Sequence, residues 1–291
     1  MKYAFIAARA DEHRVTEMCK MLEVSRSGYY GWLRYRDQPS AREQADQRAL
    51  PDILEVHQAC KARLGQRKLW MRLKALGRHW GRDRVARLMR QHGLKAKKKR
   101  PFRPLTTNST HGLPVAPNVL QQDFTATAPN QKWVSDITYV WTAQSWMYLC
   151  VVIDLYARRV VGWALMDTLD SMLVLTALRR AIRQRHPPPG LIFHSDRGCQ
   201  YASHAISQLL SLNQMRQSMS RTGNCYDNAV SESWFSGFKT EAIPEGGIHT
   251  KVEAYAIVFE HIEAFYNTVR PHTALGFLTP AAFELHSVVI A

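Results

Sequence analysis

No run of 18 or more apolar residues occurs in the 291-residue chain, which excludes a membrane-spanning helix. The apolar patch in MKYAFIAARADEH is too short for a secretory signal. Cysteine is scarce: five residues, at 19, 60, 150, 199 and 225, with no CxxC pair and no His/Cys spacing of zinc-site type. That scatter implies reduced thiols, a cytoplasmic location and no structural zinc. Internal repeats, low-complexity tracts and a long heptad repeat are also missing, so no coiled coil is expected.

What is abundant is positive charge. Lys and Arg number 39 against 24 Asp and Glu, a net +15. Residues 1–130 hold 26 basic and 11 acidic residues, and residues 131–291 hold 13 of each, so the whole excess lies in the first part. The asymmetry suits a polyanion-binding region joined to a neutral domain with another task, although a solvated basic surface gives the same count. An apolar content of 46% is that of a globular protein.

The first hundred residues read as a basic helical DNA-binding region. VTEMCKMLEVSRSGYYGWLRYR places Met18, Leu22, Val24, Tyr29, Trp32 and Leu33 on apolar faces, with Ser25 as the N-cap of a second helix. The outline is that of a helix-turn-helix, and equally of any small helical hairpin. A second unit follows. LGQRKLWMRLKAL repeats apolar positions at Leu69, Leu73 and Leu76, and a helix from about Arg82 to Gln91 buries Val85, Leu88 and Met89. Its polar side carries Arg82, Arg84, Arg87 and Arg90, and Lys95, Lys97, Lys98, Lys99 and Arg100 follow. Arginines on one side and lysines behind suit phosphate contact, which grips DNA without reading its sequence. From 101 to 130, prolines at 101, 104, 114, 117 and 129 among Thr, Asn and Ser describe an extended linker.

Beyond 131 the pattern becomes β-rich. QKWVSDITYVW, SWMYLCVVIDLY and ARRVVGWALM are strand-like and closely spaced, an antiparallel meander. A helix over about 170–185, a strand at LIFHSD (191–196), a helix over 203–213, a short strand at 214–220 and a helix in AVSESWFSGFKTEA come next. A long helix over 251–266 ends the series. Three antiparallel strands followed by helix, strand, helix, strand, helix is the order of a ribonuclease-H-like mixed five-stranded sheet flanked by helices.

In that arrangement the first and fourth strands adjoin. Asp136 lies in the first and Asp196 closes the fourth, which brings two carboxylates within several ångströms. Two such acids repel unless a cation lies between them, and a hard divalent ion suits their oxygens. Glu232 is the acid that the following helix can aim at the strand ends, with Asn228, Ser236 and Lys239 on its face and Val230, Trp234 and Phe238 on the packing side. Competing acids have quieter readings: Asp154 as a structural group four residues before Arg158, Asp227 as an N-cap, Glu241 half a turn round from Glu232. His194 reads as an orienting or packing residue.

These stretches resemble bacterial insertion-sequence transposases of the OrfB type, with a core similar to retroviral integrases. The matching segments are WVSDITYV, YLCVVIDLYARRVVGW, HSDRGCQY, TGNCYDNAVSESWFSGFKTE and FYNTVRPHTALGFLTPAAF, and 35 residues separate Asp196 from Glu232 as in the family's DDE pattern. MCKMLEVSRSGYYGW and DRVARLMRQHGL resemble its helix-turn-helix leader. The chain departs from the usual pattern at Leu64-Gly65 and Trp234. The resemblance implies a DNA transposase acting by phosphoryl transfer. Asp136, Asp196 and Glu232 would be its metal-binding triad, with two Mg²⁺ ions or Mn²⁺ in their place. It implies element-end and target DNA as partners, a homo-oligomer, an upstream OrfA part and a nucleoid-associated location. Arg197, Arg221 and Lys239 are candidate phosphate contacts near the triad; Asn267 and Arg270 could be structural or touch DNA. A same-fold metal-dependent nuclease and a non-catalytic DNA-binding regulator of transposition are the alternatives.

Overall fold

The structure, a computed structural model, describes residues 1–97, 114–221 and 225–290. The chain opens with α1 (Lys2–Ala8), α2 (Val15–Met21) and α3 (Arg26–Tyr35). Ser25 caps α3 as its position predicts, its Oγ accepting from the Gly28 amide at 3.0 Å. Ile6, Met18, Cys19 and Tyr29 give these helices a small core of their own.

A second helical unit combines α4 (Ala41–Ala59), α5 (Gln66–Ala75) and α6 (Arg82–Gln91). The sequence reading leaves 37–63 unassigned, and α4 fills most of that span. It opens on a capping box: Ser40 Oγ accepts from the Glu43 amide at 3.2 Å, and Glu43 accepts from the Ser40 amide at 2.7 Å. Ala49, Ile53, Val56 and Cys60 then meet Leu69 and Leu73 of α5 and Val85, Leu88 and Met89 of α6. Phe265, from near the other end of the chain, completes this core and docks the unit on the C-terminal part.

That part is built on five strands: β1 (Lys132–Trp141), β2 (Trp146–Asp154), β3 (Arg159–Met166), β4 (Ile192–Ser195) and β5 (Arg216–Met219). They lie in the order β3-β2-β1-β4-β5. β1, β2 and β3 pair antiparallel, while β4 joins β1, and β5 joins β4, in parallel. This is the ribonuclease-H-like sheet expected from element order. The strands carry apolar residues on both faces because both are covered. α7 (Ser171–Arg185) and α8 (His204–Leu212) pack on the face of Trp133, Cys150, Val152 and Phe193. α9 (Ala229–Glu241) and α10 (Lys251–Phe259) cover the face of Val134, Leu149, Val151 and Ile153. α10 runs on as a π-helix, Glu260–Tyr266, and α11 (Pro280–Ile290) ends the described chain. At Gly162 the helix layer approaches so closely that an added Cβ would stand 2.4 Å from the Ala177 carbonyl oxygen.

Of the Pro-rich segment expected to link the two parts, 114–130 is described, and it follows the sheet closely. Leu120 is buried in the core under α9, and the Val119 and Leu120 amides donate to Ser218 Oγ at 2.9 and 3.2 Å. Lys98, Lys99 and Arg100 lie outside the described residues.

Candidate active site

Parallel pairing of β1 with β4 matches Lys132 to Ile192, Trp133 to Phe193 and Val134 to His194. Two residues further along each strand stand Asp136 and Asp196, on the same side because strand side chains alternate. β4 ends at Ser195, so Asp196 sits where the chain leaves the sheet. Its Oδ1 accepts from the Gly198 amide at 3.0 Å, which fixes the turn, and Asp136 Oδ1 accepts from the Ile137 amide at 2.8 Å.

The two carboxylates sense each other. Burial, and next the negative charge of Asp196, push Asp136 well above the usual carboxylate range; the Ile137 amide and the Lys239 charge hold it back, while Glu232 adds a further upward push. Glu232 projects from α9 on the same face of the sheet; its side chain reaches solvent, and partial desolvation beside the sheet raises its carboxyl above the usual range. Lys239 lies on α9 seven residues on; burial lowers its ammonium to about 8, against the pull of Asp136. The set therefore holds a carboxylate in the middle of β1, its neighbour just past the end of β4, a third acid on the helix above them, and a cation within electrostatic reach. Among the described residues no three His, Cys, Asp or Glu side chains stand close enough to hold a metal ion as they are placed. The donor chemistry still fits a hard divalent cation, because a pair of like charges in a half-buried setting is stabilised by one.

α9 is held over the sheet by Trp234, Phe235 and Phe238, and at its far end by Glu241. Glu241 is buried and receives Arg270 Nε at 2.7 Å and Nη2 at 2.7 Å. Lys68 of α5 stands 3.9 Å from the same carboxylate, and Lys97 donates to the Glu241 carbonyl at 3.1 Å. Asn267 is likewise structural: its amide clasps Val160, accepting from the amide at 3.1 Å and donating to the carbonyl at 3.0 Å.

Several candidate DNA contacts have partners within the protein. Arg87 donates twice to Asp46 at 2.7 Å, and Arg84 lies 3.1 Å from the same acid. Arg82 remains exposed beside Asp83. Arg197 donates its Nε to the Ser220 carbonyl, and Arg221 binds Asp227 at 3.1 Å. One reading of the competing acids needs correction and another is borne out. Asp227 is not a capping residue but a fully buried acceptor for Arg221, Asn118 and Gln122, because the turn before α9 directs it inward. Asp154 is structural, as expected: it accepts from the Asn130 and Tyr156 amides and lies 3.6 Å from Arg185. His194 is buried between Ser218 Oγ at 2.9 Å and Ser220 Oγ at 3.3 Å, an orienting role. The Glu241 cluster leaves no local signal in the sequence, since its partners are far away along the chain; of the partners of Asp227, Arg221 is close by, while Asn118 and Gln122 come from the segment before β1.

Comparison with known proteins adds an independent finding. Models described as integrase core domains match residues 126–225 and 213–280, and one described as an HTH-like domain matches 44–102. The chain is 44% identical over 267 residues to the insertion element IS600 uncharacterized 31 kDa protein of Shigella sonnei, covering 92% of this chain and 97% of that one. It is 41% identical over 284 residues, 98% of each chain, to the transposase InsF for insertion sequence IS3A of Escherichia coli strain K12. A solved HTLV-2 integrase catalytic core in complex with magnesium is similar at 14% identity and a TM-score of 0.41, covering 55% of this chain and 99% of that one.

Proposed function

The chain belongs to the family of insertion-sequence transposases with an integrase core, and from that premise we propose that Asp136, Asp196 and Glu232 are the acids at which it cuts and joins DNA. It is a DNA transposase. Its reaction is a phosphoryl transfer on DNA that depends on a divalent metal, and its HTH-like region binds DNA. In our reading the three acids hold Mg²⁺, with Mn²⁺ able to replace it, as a pair of ions. Bound there, the metal supplies activation of the attacking oxygen and neutralisation of charge on the phosphate.

The protein's own contribution is placement. β1 and β4 set two carboxylates side by side before any ligand arrives, and their mutual repulsion marks where positive charge is accommodated. Glu232 closes the set from α9. Lys239 presents an ammonium beside Asp136 that suits a non-bridging phosphate oxygen. Exposed Arg82 and the basic run that includes Lys98, Lys99 and Arg100 grip the flanking duplex. Hydrolysis at an element end and strand transfer into target DNA follow in turn at the same acids. Bringing two ends together calls for more than one copy of the chain and for an upstream OrfA part that recognises the terminus.

The single observation that carries this reading is the parallel β1–β4 register that makes neighbours of Asp136 and Asp196. The test is incubation of labelled element-end DNA with Mn²⁺, wild type beside Glu232→Gln. Cleaved and joined products from the wild type alone support it. Cleavage without joining of a supplied pre-cut 3′ end supports a nuclease, and equal product from both proteins removes the acids from the chemistry.

A further inference from the structure

α1, α2 and α3 lie ahead of residues 44–102, the HTH-like stretch, and have a core of their own. α2 ends at Met21 and α3 begins at Arg26, with a short turn between them. Local bonds close that turn. The Val24 amide donates to the Cys19 carbonyl at 3.0 Å, and Glu23 takes the left-handed conformation that this closure needs, with φ 53°. Ser25 then caps α3. α3 is thereby set against α2 in the helix-turn-helix manner.

The two sides of α3 differ. Tyr29, Trp32 and Leu33 face inward and pack with Ile6, Met18 and Cys19. Gly28 is on this side, and its missing side chain has a cause within the protein: an added Cβ would collide with Tyr3 Oη. Ser27, Tyr30, Gly31 and Arg34 fall on the opposite side, one stripe at helical spacing. Ser27 and Arg34 are exposed, and Tyr30 is 51% exposed. Gly31 has no cause of the kind that Gly28 has. Among the described residues no atom lies within 4 Å of a Cβ added there. Glycine inside a helix weakens it, and no contact in the protein calls for one at this point. It leaves a flat step between Tyr30 and Arg34 where another molecule can come close.

Charge says which molecule. α3 carries Arg26 and Arg34 and no acid, and residues 1–36 hold seven basic residues against four acidic. Arginine and hydroxyl-bearing side chains are the types that bond base edges in the major groove, and the second helix of a helix-turn-helix is the one that enters it. We propose that α3 reads base edges in the major groove of element-end DNA, with Ser27, Tyr30 and Arg34 in contact and Gly31 at the point of closest approach. The inference rests on the transposase reading and deepens it. It gives the chain sequence recognition of its own, apart from the phosphate grip of Arg82 and the basic run.

The experiment uses the full chain in EDTA and two labelled duplexes of equal length and composition, one carrying the element end and one of shuffled sequence. Wild type, Gly31→Gln and Arg34→Ala are compared by fluorescence anisotropy. Glutamine favours a helix more than glycine does, so the thermal midpoint of Gly31→Gln is expected to hold or rise. Its affinity for the element end is expected to fall by about tenfold, and that of Arg34→Ala by a similar factor. Both variants stay within about threefold of wild type on the shuffled duplex. A variant that melts no lower and binds less has lost a site, not the fold; Arg34→Ala, at an exposed position, gives the same reading should Gly31→Gln fold poorly. Equal losses on the two duplexes overturn the proposal, since they reduce the face to a phosphate contact. Unchanged element-end affinity in both variants overturns it as well, and a change in sedimentation alone then assigns the face to a protein partner. Wild type without preference for the element end is a third contrary result. Binding without metal needs neither the acids nor cleavage, so its failure counts against α3, and failure of the cleavage assay against the acids.

Discussion

Arg221 and Asp227 are joined through both ends of the guanidinium, Nε to Oδ2 at 3.2 Å and Nη2 to Oδ1 at 3.1 Å, and the Arg221 amide adds a third bond to Oδ2 at 2.8 Å. Asn118 and Gln122 donate to the same carboxylate at 2.9 Å each. One buried acid therefore ties the segment before β1 to the turn that launches α9 and Glu232. Burial alone raises Asp227, but the hydrogen bonds of Arg221 and Gln122 and the charge of Arg221 outweigh it and hold the carboxyl at about 2.

Asp227→Ala leaves those donors unanswered and is expected to cost about 1–3 kcal/mol, read as a lower midpoint in urea unfolding. The pH dependence has a definite sign. With the folded value below the unfolded one, the stabilisation is complete above about pH 4 and is lost as pH falls toward 2. In Asp227→Ala that portion of the acid limb is absent; an unchanged limb would contradict the assignment.

For the acid pair, activity and stability are expected to move in opposite directions. Asp136→Asn or Asp196→Asn removes one of two repelling charges, so metal-free protein melts at a higher temperature than wild type, while joined product falls by about a thousandfold or more. Adding Mg²⁺ raises the wild-type midpoint and leaves both variants almost unmoved. Differential scanning fluorimetry with and without metal reads this directly, and a lower melting point in metal-free Asp136→Asn would refute the repulsion.

Arginines of α6 separate into two groups. Arg82→Ala is expected to reduce the slope of log affinity against log salt by about one, as loss of one phosphate contact does. Arg87→Ala releases Asp46 and lowers the thermal midpoint, with the salt slope unchanged. Fluorescence anisotropy across a salt series separates the two.

His261 and His272 give a second pH signature. Burial, then Arg63, Arg270 and Lys97, hold His261 well below its ordinary value; burial, then Arg270, Arg158 and Lys68, bring His272 to about 4. Both are neutral in the folded protein, so the unfolded chain binds more protons once pH drops below about 6.5, and stability declines from there toward pH 4. Unfolding midpoints of His261→Gln are expected to fall less steeply over that interval.

The sheet was legible because its strands are strongly β-branched and aromatic, and its order followed from the sequence of elements. Helices starting at Arg26 and Arg82 were legible from a cap and a clean apolar stripe. α4 was not: Pro51 interrupts it, and its apolar positions are thinned by Arg, Glu, Gln and Asp along its first half. Asp136 and Asp196 could be paired in advance because adjacency of two strands is enough to pair them. The inward turn of Arg84 and Arg87 could not, because Asp46 lies some forty residues away and announces itself by no spacing. The same holds for Glu241, whose side-chain partners come from α5 and from the segment after the π-helix.

Glu232 and Glu241 stand on one helix, and the second is gripped from both halves of the molecule by Arg270, Lys68 and Lys97. A rod clamped at one end transmits torque to the other with little slack. The anchoring of Glu241 by Arg270, Lys68 and Lys97 thus also fixes the azimuth from which Glu232 faces the sheet.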